Sequence, residues 1–277
     1  MSRPQAAPLP RPRGGPLAAA LGRRARDWGP AILVLAVVLV GWQEAIRVFH
    51  IKRFLLPKPT AIATAFWRNR ELWSSGWFTF QEALGGFAIG CGTAIVIATA
   101  LARWRRLSGA IMPYAIAANA IPIIAFAPIT NAWFSPLTKT SKMAVAAILC
   151  FFPVLVNTLR GLTSVKPQSI ELMRSYAAGE LEIFRRVRFP TALPYVFTSL
   201  KVASVLAMIG AVVGEYFGGG LNALGVQIKS AAALFDFETA WAAIVVACIL
   251  GIGFYVAIAI AERLVLRWLP STEDSNS

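Results

Sequence analysis

The sequence is poor in charged residues, and acidic residues are the scarcest. Of its 277 residues only 14% are charged, with 13 Asp and Glu against 27 Lys and Arg, while 57% are hydrophobic. A soluble globular domain carries about 25% charged residues. Too few polar groups are therefore present to cover a water-exposed surface, and we expect lipid to surround much of the chain.

Histidine and cysteine are also scarce, which argues against metal and redox chemistry. The chain has one histidine, His50, and three cysteines that each lie within an apolar run, Cys91, Cys150 and Cys248. No CxxC pair occurs, so we predict no metal site and no cofactor, and we interpret the cysteines as small apolar packing residues. A membrane-embedded enzyme would need a clustered catalytic set, and the sequence contains none.

Common sequence motifs for nucleotide binding and for hydrolytic catalysis are missing as well. The chain lacks GxxxxGK[ST], GxGxxG, HExxH and GxSxG. Without the GxxxxGK[ST] motif it has no P-loop to bind ATP phosphates. Its formal net charge of +14 lies mainly in the tails and between apolar runs. We interpret this charge as a determinant of membrane topology and a contact for anionic lipid headgroups, and we predict no nucleic-acid binding.

Six apolar segments are long enough to cross a membrane, which takes about 20 residues of helix. They predict an all-α integral membrane protein with about six transmembrane helices, at about 29–49, 79–102, 109–133, 141–162, 193–217 and 239–265. The third segment contains Pro113, Pro122 and Pro128, so we expect it to be kinked or partly unwound. Residues 1–28 lack apolar periodicity and predict a disordered basic tail up to about Arg26, followed by an uncleaved first span.

The distribution of basic residues predicts the orientation. The loops 103–108 and 163–192 are rich in Arg and Lys, which places them and both termini in the cytoplasm. Residues 50–78 argue against this topology, because they should lie outside yet contain five basic residues, Lys52, Arg53, Lys58, Arg68 and Arg70.

Ionisable residues inside the spans are candidates for function. Lys201 either snorkels to the cytoplasmic interface or lines a translocation path. Glu215 is expected near the outer interface, with either a structural role or a role as a gate. Small residues recur in the second and fifth spans and predict close helix packing; they are Gly85, Gly86, Gly90, Gly92, Ala203, Ala207, Gly210, Ala211 and Gly214.

One polar insert, residues 164–195, interrupts the apolar pattern. Pro167 suits a helix start, and Ile170, Met173 and Ala177 then fall on one helical face. A second apolar stripe comprises Ile183, Phe184 and Val187, with Pro190 expected to end that helix. The pattern predicts two short amphipathic helices, whose apolar surface needs a partner protein or the membrane surface to cover it.

This insert resembles the EAA loop of the inner-membrane components of binding-protein-dependent ABC importers, in the nitrate/sulfonate/taurine-type branch. The matching positions are Glu171, Arg174, Phe184, Val187, Pro190 and Pro194. Four further stretches resemble the family in the same order, so that the resemblance covers about residues 55–268: LLPKPTAIATAF, IPIIAFAPITNAWF, VGEYFGGGLNALGVQI and IAERLVLRW. The stretch RSYAAGE is similar to the corresponding stretch in permeases for vitamin-type heterocycles, such as riboflavin or thiamine-precursor pyrimidines.

The insert departs from the family pattern in two ways. Leu172 and Met173 replace the two alanines, and Ala177 stands where the family usually has glycine, with Gly179 two residues later. From the alanine we predict that the turn at position 177 needs no positive φ.

The resemblance implies a type I ABC importer permease with the MetI-like fold, in the bacterial cytoplasmic membrane. Its domain would span residues 29–268, between cytoplasmic tails at 1–28 and 269–277, and it would not itself be an enzyme. The coupling loop 164–192 would dock on a separate ATPase through Glu171, Arg174, Ala177, Gly179, Glu182, Phe184 and Pro190.

Other partners implied by the resemblance are a substrate-binding protein, membrane lipid and a second permease copy, expected to form a homodimer. The solute would move between the two copies, along the third and fifth spans. Two alternatives stay open from the residues themselves. One is a self-contained channel or secondary transporter, and the other is a structural membrane protein.

Overall fold

The computed structural model describes residues 16–52, 55–118 and 120–267, and all regular secondary structure in this part is helical. The prediction of an all-α protein is thereby confirmed. A short 3₁₀ turn, Ile123–Ala125, precedes α5, and a π-helical turn, Phe184–Arg188, joins α8 to α9. The α-helices are α1 Pro16–Val48, α2 Pro59–Arg68, α3 Glu71–Ala102, α4 Arg105–Ala118, α5 Phe126–Phe134, α6 Lys139–Thr163, α7 Pro167–Ser175, α8 Glu180–Ile183, α9 Phe189–Phe217, α10 Leu224–Ala233 and α11 Phe237–Val265.

The chain divides into two compact units, residues 1–61 and 62–277. Helix α1 belongs to the first unit and begins at Pro16, within the segment predicted to be disordered up to Arg26. The reason is local, because residues 16–26 are mostly Ala, Leu and Arg, which favour helix, and Pro is tolerated in a first turn. Residues 1–15 and the predicted tail at 269–277 lie outside the described part, and the predicted domain at 29–268 stays a prediction.

Five helical segments are long and apolar enough to cross a membrane, and they correspond to five of the six predicted spans. They are Gly29–Val48, Glu71–Ala102, Lys139–Thr163, Glu180–Phe217 and Phe237–Val265. The remaining predicted span, 109–133, is divided between α4 and α5, with Pro122 in the non-helical stretch between them. The predicted interruption is confirmed, since neither piece is long enough to span on its own.

Helix α6 packs between α3 and α9, and glycines permit the close approach. A Cβ atom added to Gly86 of α3 would lie 2.7 Å from the Met143 carbonyl oxygen of α6. One added to Gly210 of α9 would lie 2.7 Å from Ala146 Cα on the same helix. The packing role predicted for small residues in the second and fifth spans is therefore confirmed, although Gly92 faces open space.

Pro190 does not end a helix, contrary to the prediction. The chain stays helical from Glu180 to Phe217, and Pro190 lies in the first turn of α9, directly after the π-helical turn. A proline lacks the N–H for the bond to the carbonyl four residues earlier and crowds that carbonyl. The wider π turn supplies room at this point, so the helix continues.

Candidate functional site

The polar insert, residues 164–195, lies at the ends of the spans and is held in place by an ion pair and a hydrogen bond. Helix α7 starts at Pro167, as predicted, and α8 follows after a tight turn. Arg174 Nη2 lies 3.0 Å from Glu180 Oε1 across this turn. Arg188 Nη1 donates a hydrogen bond to the Ala102 carbonyl oxygen at 3.2 Å. The insert is thus anchored to the last residue of α3.

The apolar surface that the insert exposes differs from the predicted one. Ile170 and Met173 are half-buried. The most exposed large apolar side chains are Leu172 at 57%, Tyr176 at 77% and Leu181 at 72%. The predicted exposed face was wrong because it assumed a helix that continues through residue 177. Helix α7 ends at Ser175, and the chain reverses direction there.

The turn after α7 is a Schellman motif, and it overturns the prediction made for Ala177. The Ala177 N–H bonds the Arg174 carbonyl, the Ala178 N–H bonds the Met173 carbonyl, and Ala177 has φ +56°. This motif requires a left-handed residue directly after the C-cap, whatever its type. Gly179 is extended, with φ −71° and ψ 162°, and a Cβ there would meet nothing within 4 Å.

The other predicted coupling residues differ in how far they are buried and in what they contact. Glu171 is exposed on α7, and the half-buried Glu182 pairs with Arg186 at 3.1 Å. Phe184 packs against the hydrophobic core, with its ring centroid 6.3 Å from that of Phe189.

Lys201 and Glu215, the two ionisable candidates in the fifth span, do not meet. They are 14 positions apart on α9, which is about 21 Å of helix. Lys201 Nζ lies 2.6 Å from Glu262 Oε2 of α11, with side-chain exposures of only 21% and 19%. Lys201 therefore ties α9 to α11 through an ion pair.

Glu215 is fully buried inside the protein, and its depth near the outer interface stays a prediction. Its Oε1 accepts from Thr79 Oγ1 of α3 at 2.7 Å, and its Oε2 accepts from the Gly225 N–H of α10 at 2.8 Å. Thr79 Oγ1 in turn accepts from the Leu224 N–H at 3.1 Å. Since helix N-termini expose unpaired N–H groups and attract negative charge, α10 is capped by two side chains from other helices.

Glycine at position 225 allows this capping. A Cβ on Gly225 would lie 2.7 Å from Glu215 Cβ and 2.9 Å from the Tyr216 nitrogen. Any side chain here would therefore separate the carboxylate from the helix terminus.

Two further buried ionisable residues complete the polar cluster, Glu82 of α3 and Lys142 of α6, each 1% exposed. The Glu82 and Glu215 carboxyl groups lie close enough to each other and to Lys142 to interact electrostatically. Lys142 Nζ also donates to the Pro136 and Thr138 carbonyl oxygens. Sequence analysis gave neither Lys142 nor Glu82 a role, because residue spacing does not reveal which helix faces meet.

Neither the cluster nor any other group in the described residues offers a metal site, since none brings together three side chains of His, Cys, Asp or Glu suited to a metal ion. The three cysteines are free thiols, and Cys150 Sγ lies 3.2 Å from the Ala203 carbonyl oxygen in the core.

Comparison with known proteins gives one family. The model of the family described as "Binding-protein-dependent transport system inner membrane component" matches residues 90–269. This range contains the polar insert, both candidate residues of α9 and the whole of α10.

Several transport proteins are similar over most of this chain. RibX of Chloroflexus aurantiacus, a riboflavin transport system permease protein, is 34% identical over 87% of this chain and 91% of its own length. ThiX of Halalkalibacterium halodurans, a formylaminopyrimidine transport permease protein, is 35% identical over 85% of this chain and 94% of its own. SsuC of Escherichia coli, a putative aliphatic sulfonates transport permease protein, is 28% identical over 87% and 92%.

Proposed function

This chain belongs to the family of binding-protein-dependent transport system inner membrane components, and from that membership we propose that it is the permease of an ATP-driven importer. The family and the apolar helices identify a multi-pass inner-membrane permease of the ABC type and not a catalytic enzyme. In the proposal, ATP hydrolysis is supplied by a separate ATPase subunit, and an external binding protein delivers a small solute.

The observation that carries the proposal is the exposed apolar surface of the insert. Leu172, Tyr176 and Leu181 are all more than half exposed on a segment that is braced by ion pairs and tied to α3. Exposed apolar side chains on rigid short helices are suited to a groove on another protein. The surface supports docking of the ATPase on residues 171–182. In the proposal this side is cytoplasmic, and both chain termini lie on it, as the distribution of basic residues predicts.

A complete path needs a second permease copy in this proposal, expected to be identical. The solute would pass between the copies, next to α9 and the broken α4–α5 segment. Glu215 is a candidate for gating through its hold on α10, whereas the ion pair of Lys201 with Glu262 supports a structural role for that lysine.

For the solute, we propose a nitrogen heterocycle. RibX and ThiX, both above 30% identical to this chain, are named for riboflavin and formylaminopyrimidine, which are both of this chemical class. A sulfonate is the second candidate, from the name of SsuC, and a solute of another kind, such as nitrate, would fit the wider branch that the sequence resembles.

Co-purification tests the importer proposal. The tagged chain is extracted from native membranes in mild detergent, and the proteins that accompany it are identified by mass spectrometry. We expect an ATPase with a GxxxxGK[ST] motif, and we expect Leu172→Asp to remove it. Leu234→Asp is the matched control, because Leu234 is also exposed, at 79%, but lies after α10, far along the chain from the insert.

Two results would contradict the proposal. If the ATPase stays bound to the Leu172→Asp chain, the insert is not its docking site. If no ATPase is recovered and the purified chain alone transports solute in liposomes without ATP, the self-contained channel or secondary transporter is correct.

A further inference from the structure

A cleft of about 630 Å³ lies between α7 and the ends of α3 and α6. Pro167, Ile170, Glu171 and Arg174, which follow the spacing of one helical face, form its α7 side. Leu172 and Tyr176 lie on the exposed surface of the insert. The cleft therefore lies on the side of α7 opposite Leu172 and Tyr176, while Glu171, Arg174 and Glu180 of its lining belong to the segment proposed to dock the ATPase.

The polar lining of the cleft has an excess of positive charge. Three arginines line it, Arg103, Arg174 and Arg188, against two carboxylates, Glu171 and Glu180. Glu180 is paired with Arg174. Among the described residues no ion pair is formed by Arg103 or Arg188, so two guanidinium groups face the cleft without a carboxylate partner in this part of the chain.

A second cavity of about 420 Å³ continues from the first along α3 and α8. The two share Ala102, Arg103, Glu180 and Arg188. The second adds a mainly apolar lining, formed by Thr99, Leu181 and Phe184. Leu181 thus borders both this cavity and the surface proposed to dock the ATPase. Thr99 lies about one turn inside the end of α3, so this apolar part extends from the span's end towards its middle.

From this continuity we propose that the two cavities bind one anionic phospholipid. Arg103 and Arg188 contact the phosphate group, and an acyl chain lies against Leu181 and Phe184. Guanidinium groups bind phosphate through paired charge-assisted hydrogen bonds. The cleft is at the end of two membrane spans, where Trp104, 59% exposed, has the position favoured by interfacial tryptophans.

The apolar extension favours a lipid over a soluble anion, because a free phosphate would leave the Leu181 and Phe184 side of the cavity without a ligand. The inference rests on the membrane-spanning fold and does not depend on which ATPase or solute the permease uses. A lipid at this place would contact α7 and α8 from their membrane side, so its charge would influence the position of the insert.

Native mass spectrometry of the full-length chain in detergent tests the proposal. The chain is titrated with phosphatidylglycerol and with phosphatidylcholine of the same acyl chains. We expect tighter binding of phosphatidylglycerol, weakened about fivefold by Arg103→Gln, since one arginine near a lipid surface contributes about that factor. Arg263→Gln is the control, because Arg263 is exposed in the last turn of α11 and its replacement removes the same charge.

A second variant tests the acyl-chain part of the site. Leu181→Ser is expected to weaken phosphatidylglycerol binding while leaving the charge unchanged. Equal affinity for the two lipids, or equal effects of Arg103→Gln and Arg263→Gln, would overturn the proposal. Displacement of phosphatidylglycerol by millimolar glycerol phosphate would overturn it as well, because the site would then belong to a soluble anion.

Discussion

The Glu215 carboxylate, at the outer end of the predicted fifth span, accepts a hydrogen bond from the Gly225 backbone N–H at 2.8 Å. The bond joins α9 to the N-terminus of α10, and Thr79 of α3 bonds the same carboxylate. Three helices therefore meet at one buried side chain, and the position of α10 depends on it.

Replacement of Glu215 by alanine should destabilise the protein. The Gly225 N–H would lose its acceptor inside a buried site, which costs about 1–3 kcal/mol. Glu215→Gln retains an acceptor oxygen and should cost less. Thermal unfolding in detergent, followed by tryptophan fluorescence, measures both changes, with Glu71→Ala as the control, since Glu71 is an exposed acid in a first turn. Equal melting temperatures for Glu215→Ala and Glu71→Ala would show that the cap contributes nothing.

Ala177→Gly should stabilise the turn between α7 and α8. A left-handed conformation costs an L-residue roughly 1–2 kcal/mol, and glycine avoids this cost. Hydrogen exchange of the Ala178 amide, which bonds the Met173 carbonyl, should become slower. Gly179→Ala serves as the comparison and should have little effect, because its backbone is extended and its surroundings are open. Faster exchange in Ala177→Gly would contradict the geometry of the turn.

The ion pair between Lys201 and Glu262 should show strong coupling in a double-mutant cycle. Removing one partner leaves the other charge largely buried. The free-energy costs of Lys201→Met and Glu262→Gln should therefore sum to more than the cost of the double variant. We expect a coupling free energy of about 1–3 kcal/mol from thermal unfolding. The exposed pair Arg47 and Glu44 is the reference and should give about 0–1 kcal/mol. Additive effects at Lys201 and Glu262 would mean that the pair does not tie α9 to α11.

A side chain at Gly210 should prevent α9 from packing against α6. The added atoms would collide with Ala146 Cα and Leu149 Cδ1, at 2.7 and 2.9 Å from a Cβ, and overpacking costs about 1–3 kcal/mol or more. Gly210→Val should therefore lower the yield of monodisperse protein on size exclusion. Gly92→Val has the same chemistry but open surroundings, and it should leave the yield unchanged. A normal yield from Gly210→Val would mean that the two helices pack less closely.

The spans could be predicted from the sequence because length and apolar content decide whether a helix crosses lipid. Close packing of the second and fifth spans was also predictable, since small residues such as Gly86 and Gly210 allow helices to approach closely. That both spans pack on α6 could not be predicted. The break between α4 and α5 followed from Pro122. These features depend on local composition, which a single sequence contains.

The buried cluster could not be predicted because it depends on which helix faces meet. The position of Glu215 in its span gives its depth in the membrane, but only the packing of Thr79 and Gly225 makes it buried. Lys142 lay too close to a span boundary to be recognised as internal. The role of Ala177 was missed for a different reason, because the Schellman motif imposes its conformation on whichever residue follows the cap.

The unbroken helix from Glu180 to Phe217 has a mechanical consequence. Its 38 residues correspond to about 57 Å of length, nearly twice the hydrocarbon thickness of about 30 Å. A rod of that length, turned by about 5° around a point near one end, moves its other end by about 5 Å. Gly210, where α9 packs closely on α6, lies 30 residues from Glu180. A turn of about 5° around this contact would therefore move the insert end of the helix, about 45 Å away, by about 4 Å, which is more than the width of a water molecule.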